Sequence, residues 1–71
     1  SLETKDDLGK IKGIGPAIEE KLNGIGIFTF KQITHLTNKD IAKITDLIEF
    51  PSGRIERDKW IEQATALTTK N

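Results

Sequence analysis

Leu8-Gly9-Lys10-Ile11-Lys12-Gly13-Ile14-Gly15-Pro16-Ala17 decides how this chain folds. Two glycines flank one apolar residue, and a proline follows at once. Glycine reaches positive φ and admits close backbone approach, so the pair permits a sharp reversal between two helices with Ile14 plugging inward. Pro16 suits the first turn of the following helix, where its missing N–H is no loss. Upstream, a short first helix is expected with Thr4 as its cap, Asp7 at its third position, and Leu8 and Ile11 facing inward. Downstream, Ala17, Ile18 and Leu22 form the apolar face of a second helix. Asn23 sits at its end, and Gly24 is expected to supply the left-handed residue that closes it.

Two further helix starts are written in the same local code. Thr29 with Gln32, and Thr37 with Asp40, place a capping hydroxyl three residues before a side chain that reaches back. Phe28 against Ile33, and Leu36 against Ile41, are the matching hydrophobic staples. The spacing predicts helices over Phe30–His35 and Asn38–Ile48, the second with a stripe of Ile41, Ile44, Leu47 and Ile48. Phe50-Pro51-Ser52-Gly53 breaks the pattern as a loop. A last helix carries Trp60, Ile61, Ala64 and Leu67 on one face. Its start is open between Ser52 capping a helix from Gly53 and Asp58 capping one from Lys59. Thr68–Asn71 is expected to fray. The reading is an all-α, compact five-helix domain.

Seventy-one residues allow one domain over 1–71, with an ordered core expected at about 5–67. A domain of this size buries only about 60% of its unfolded surface, so local helix signals matter. Valine is absent, and the apolar residues are mostly Ile and Leu at helical spacing, which argues against a sheet. No cysteine is present, which removes disulfides and thiolate metal sites. No apolar run approaches the ~20 residues of a membrane span, and a cytoplasmic location without membrane contact is the expectation. With no Met, the chain reads as a piece of a longer protein or a processed one. Eleven basic and eleven acidic residues give zero net charge, whereas a dedicated nucleic-acid binder is usually basic. Lys5, Lys10, Lys12 and Lys21 are matched locally by Asp6, Asp7, Glu19 and Glu20, so any nucleic-acid binding is expected to be weak.

The Gly13–Gly15 hairpin is the segment with chemistry. Its backbone N–H groups are expected to point outward beside the positive end of the second helix, a seat for a phosphate oxygen. Lys10, Lys12 and Lys21 add attraction, and such contacts read no base edges. The plainer alternative is a helix–helix turn with no ligand. A bulky residue at Gly15 is expected to threaten the fold. Arg54 and Arg57, the two arginines, either contact phosphate or form a surface lattice with Glu49, Glu56 and Asp58. Trp60 reads as core. Asp6-Asp7 and Glu19-Glu20 read as solvated helix surface, since neighbours in a helix do not face each other. His35 has no nucleophile at recognisable spacing. No catalytic, cofactor or metal-ligating set emerges, so the chain is not expected to be an enzyme.

The run from Leu8 to Leu22 resembles the helix-hairpin-helix family, through its apolar-x-x-apolar-x-Gly-apolar-Gly-x-x-x-apolar core. Gly26-Ile27-Phe28-Thr29-Phe30 continues that resemblance. The stretch from Phe50 to Ala64 is similar to a subgroup, the small flap-endonuclease-like (helix-three-turn-helix) domain. That domain is found as an extension of bacterial proteins, including a large-subunit ribosomal protein and respiratory-complex subunits. The resemblance implies a SAM-like five-helix fold with two pseudo-symmetric hairpins. It implies DNA phosphates on the backbone amides of Gly13, Ile14 and Gly15, sometimes beside a monovalent cation held by hairpin carbonyls. The second hairpin, Pro51-Ser52-Gly53-Arg54, lacks the Gly-apolar-Gly form, which leaves Arg54 and Arg57 to act by side chain. Nuclease activity in the family belongs to another domain and is not carried over. Two functions stay open: an accessory module that binds DNA or RNA phosphates without sequence preference, and a protein-interaction or assembly domain that binds a protein partner or the parent protein's other domains.

Overall fold

The computed structural model describes residues 5–69. One turn of 3-10 helix, Leu8–Lys10, precedes five α-helices: α1 Pro16–Gly24, α2 Phe30–Thr34, α3 Asn38–Leu47, α4 Arg54–Arg57 and α5 Trp60–Thr68. The first helix is therefore shorter than expected. Asp7 is its cap, accepting from the Gly9 amide, and residues 5–7 are not helical. The Thr4 cap lies outside the described residues. At the other end, both candidate starts of the last helix are used, one residue later than expected in each case. α4 begins at Arg54 and α5 at Trp60, with Asp58 and Lys59 as the break between them. Neither start has a side-chain cap.

Local capping fixes the middle of the chain. Thr29 and Gln32, and Thr37 and Asp40, form complete reciprocal capping boxes. α1 closes by a Schellman turn, with Gly26 N–H donating to Asn23 O and Ile27 N–H to Leu22 O. The left-handed residue is Gly26 at φ 94°, not Gly24, which is still helical. α3 ends in the same way, with Glu49 N–H donating to Asp46 O and Phe50 N–H to Thr45 O. There the left-handed residue is Glu49 at φ 56°, and at the α4–α5 junction it is Lys59 at φ 57°.

The core is one cluster. Leu8, Ile11, Ile14, Leu22, Ile27, Ile33, Ile41, Ile44, Ile48, Ile55, Trp60 and Ala64 are buried, and no polar or charged residue among those described is. Trp60 is the largest buried side chain, with Phe50 tilted against it at 5.4 Å. α2 packs along α5, which brings the middle of the chain onto its end. Leu47 is the exception to the expected stripe, at 58% exposed. Ile41, Ile44 and Ile48 already fill the inward arc, and Leu47 lies a further ~100° around the helix from Ile48.

The N-terminal segment is tied down by polar contacts to distant backbone. Asp6 N–H donates to Phe28 O, the Asp6 carboxylate accepts from Phe30 N–H, and the Glu19 carboxylate accepts from Leu8 N–H. These acids are thus backbone caps rather than the solvated pairs the sequence suggested.

Candidate nucleic-acid interface

The hairpin between the 3-10 turn and α1 has both conformations that its glycines allow. Gly13 takes φ 105°, a conformation that favours glycine, while Gly15 is extended at φ −93°, ψ 179° and caps α1. A Cβ on Gly15 would meet nothing within 4 Å, so the expected intolerance of a bulky residue there is not borne out. Ile14 is 4% exposed and plugs the core as expected.

The amides separate along the turn. Lys12 N–H donates to Gln63 Oε1 at 2.9 Å, and Ile14 N–H donates to Ile11 O at 3.0 Å. Ile14 therefore cannot offer its amide to a phosphate without losing the bond that shapes the hairpin. Among the described residues, the amides of Gly13, Gly15, Ala17 and Ile18 have no acceptor. Pro16 has no N–H, and the first helical bond of α1 comes only at Glu19, which donates to Gly15 O. An open row of donors thus exists at the positive end of α1: it keeps Gly13 and Gly15 of the expected set, lacks Ile14 and extends to Ala17 and Ile18.

The cations divide likewise. Lys10 and Lys12 are exposed beside the hairpin. Lys21 is not available there: its Nζ donates to Ile48 O at 3.2 Å and so caps the end of α3. Arg54 Nε pairs with Asp58 Oδ2 at 3.0 Å, with its guanidinium over the Phe50 ring at 5.7 Å. Arg57 Nε lies 3.8 Å from Asp58 Oδ1 with its side chain 71% exposed. The arginine lattice therefore forms through Asp58; Glu49 and Glu56 take no part among the described residues. Asp58 reaches the first hairpin as well, since a Cβ on Gly13 would lie 2.5 Å from its Oδ2. The two hairpins, forty residues apart in sequence, share one surface.

Residues 8–68 match the family described as the RS2/RL21/YNQ2 HHH domain. The chain belongs to that family. The RS2/RL21/YNQ2 HHH domain recurs in proteins of both ribosomal subunits. Large ribosomal subunit protein bL21 of Hyphomonas neptunium is 52% identical over 62 residues, covering 87% of this chain and 30% of that protein. Small ribosomal subunit protein uS2 of Beijerinckia indica is 48% identical over 62 residues, covering 87% of this chain and 18% of that protein. The bL21 of Jannaschia sp. is 49% identical over 65 residues, covering 92% of this chain and 25% of that protein. The chain spans less than a third of the length of these curated relatives. No solved structure gave a significant match.

Two residues that organise the surface of this HHH domain escaped sequence reasoning. Gln63 accepts from Lys12 N–H, donates to Lys12 O at 3.2 Å and donates to Asp58 O at 2.7 Å, binding α5 to the first hairpin and to the α4–α5 junction. Asp58 was visible as a candidate cap of the last helix and as one of several acids near the arginines, but not as the residue that joins them to Gly13. Gln63 carries no local signal for Lys12, which lies across the fold. The Arg54–Asp58 pair is a local i,i+4 contact, and only the approach of Asp58 to Gly13 depends on tertiary packing. His35 Nδ1 sits 2.8 Å from Lys31 O at the end of α2 and is exposed, a capping position. No cluster of three or more His, Asp or Glu that could hold a metal occurs among the described residues. No helix of the described chain is long and apolar enough to cross a membrane.

Proposed function

We propose that this HHH domain is a non-catalytic accessory module that docks a larger cytoplasmic protein onto nucleic acid without reading sequence. RNA is the favoured form, because the relatives are named as ribosomal subunit proteins. The observation that carries the reading is the open donor row of Gly13, Gly15, Ala17 and Ile18 at the head of α1, with Lys10 and Lys12 beside it and Arg57 on the same surface. Anions are favoured at such helix starts, and phosphate contacts of this kind fix position without touching base edges. Asp7, Glu19 and Asp58 stand close to the same hairpin, which keeps the attraction weak. A monovalent cation on the hairpin carbonyls would act beside these donors.

Binding is tested by titrating a structured RNA, a DNA duplex and single-stranded DNA at low salt. Seating two to four phosphates gives a log–log salt slope of about −2 to −4. Gly15→Leu is the informative variant. It fills open space in front of the donor row and leaves the fold intact, so affinity falls while the unfolding temperature holds. No binding to any of the three nucleic acids at low salt refutes the reading.

The protein-assembly reading is favoured by the exposure of Leu47 together with the zero net charge. Under it, Leu47→Lys disrupts capture by the parent protein's other domains, and Gly15→Leu has no effect.

A further inference from the structure

Donors converge on one point between the two hairpins. A Cβ built on Gly13 would lie 2.5 Å from Asp58 Oδ2, 3.1 Å from its Cγ and 3.1 Å from Trp60 Nε1. The Asp58 carboxylate is held by Arg54 Nε at 3.0 Å and faces Arg57 Nε at 3.8 Å. Trp60 is 1% exposed, and its indole N–H, beside this point, has no acceptor among the described residues. A guanidinium carries five N–H donors in a planar fork, and only the Nε of each arginine is directed at Asp58. Two guanidiniums on one carboxylate, with an unpartnered indole N–H close by, are the kind of donors by which proteins hold carboxylate or phosphate. The anion found there is the chain's own, and its side chain is 21% exposed, at the rim of the surface.

The geometry points to Asp58 as the internal occupant of an anion seat between the hairpins, which a nucleic-acid phosphate displaces. The inference rests on the nucleic-acid reading above and deepens it, because it assigns the weakness of binding to one residue. Arg54, Arg57 and Asp58 together carry a charge of +1; without the carboxylate the same surface carries +2. Arg57 needs no rearrangement to reach a phosphate, being 71% exposed. Arg54 stays cradled on Phe50 when Asp58 leaves, so the seat keeps its shape. A phosphate in the seat lies beside Gly13, close to the open amides of α1, so one strand of nucleic acid can engage both hairpins.

Asp58→Asn tests this against Glu56→Gln, which removes an equal charge from a neighbouring exposed residue that makes no ion pair among the described residues. Affinity of the 71-residue chain for a short RNA duplex is measured by fluorescence anisotropy across a salt series, with circular dichroism to confirm folding. One additional net positive charge at the seat gives D58N roughly tenfold tighter binding at ~50 mM salt and a log–log slope steeper by about 0.9. E56Q changes little. D58N binding no tighter than E56Q, while the wild type binds, overturns this inference and leaves the nucleic-acid reading standing. No binding by the wild type or either variant overturns the reading beneath it, and this inference with it. Should D58N fail to fold, the wild type decides by NMR, because the single tryptophan gives one indole N–H signal. Displacement of Asp58 by the RNA duplex moves that signal and the Asp58 and Lys59 amides. Movement confined to residues 13–18 refutes it.

Discussion

Gly13→Ala and Gly15→Ala change like residues two positions apart in one turn, and the structure gives them opposite consequences. At Gly13, φ is 105°, and a Cβ would fall 2.5 Å from Asp58 Oδ2 and 3.1 Å from Trp60 Nε1. Holding an alanine in such a conformation costs about 1–2 kcal/mol. Overpacking adds about 1–2 kcal/mol, toward the low end because the carboxylate can swing, but not freely while Arg54 holds it. At Gly15, φ is −93° and no atom lies within 4 Å. Alanine there narrows the unfolded ensemble by about 0.4–1 kcal/mol in its favour, while being a poorer N-cap than glycine by a similar amount. The expected difference is about 3 kcal/mol, against a total stability of about 4–10 kcal/mol for a domain of this length. Thermal unfolding followed by far-UV circular dichroism reads it directly. Gly13→Ala unfolds about 12–24 °C below wild type, and Gly15→Ala within about 4 °C of it. A further Asp58→Ala change lowers the Gly13→Ala penalty by about 1 kcal/mol, because it removes the Asp58 clash and leaves the Trp60 contact and the backbone strain. Equal shifts for the two glycines, or a Gly13→Ala transition unmoved from wild type, would show that the hairpin conformation assigned here is wrong.

Glu49 closes α3 from a left-handed conformation that glycine takes without strain, so Glu49→Gly is expected to stabilise the domain by about 0.5–1 kcal/mol; a lower midpoint in urea would refute this. The Asp40 carboxyl is held below its ordinary 3.8, first by the hydrogen bond from the Thr37 backbone N–H, then by the Thr37 side chain, with Lys43 adding to it. A depressed carboxyl stabilises the fold above its unfolded value and loses that contribution as pH falls through its folded value. Thermal stability therefore declines below pH ~4 partly through Asp40, and the decline is shallower in Asp40→Asn; identical pH profiles for the two proteins would remove Asp40 from the account.

The order of helices could be read from the chain because its signals are local. Thr29 with Gln32 and Thr37 with Asp40 act across three residues, and both boxes form as their spacing predicts. Pro16 after Gly15 opens α1 for the same reason. The errors have physical causes of their own. Gly24 and Gly26 are equally able to turn left-handed, and the choice fell to Gly26 because that register lets Ile27 join Leu22 in the core. Leu47 fits the helical stripe in sequence, but the arc facing the core was already filled.

Sequence alone determined the helical class, the two threonine capping boxes, the hairpin and its inward Ile14, since each follows from backbone preferences within a few residues. Tertiary structure decided which groups are free to bind. It took the Lys12 amide for Gln63 and Lys21 for the end of α3, and it placed Asp58 between the arginines and Gly13. Such assignments depend on which helices pack together. Hydrogen bonds such as Lys12 to Gln63 and Lys21 to Ile48, and the approach of Asp58 to Gly13, leave no periodicity or spacing in the chain, so only the folded core selects them.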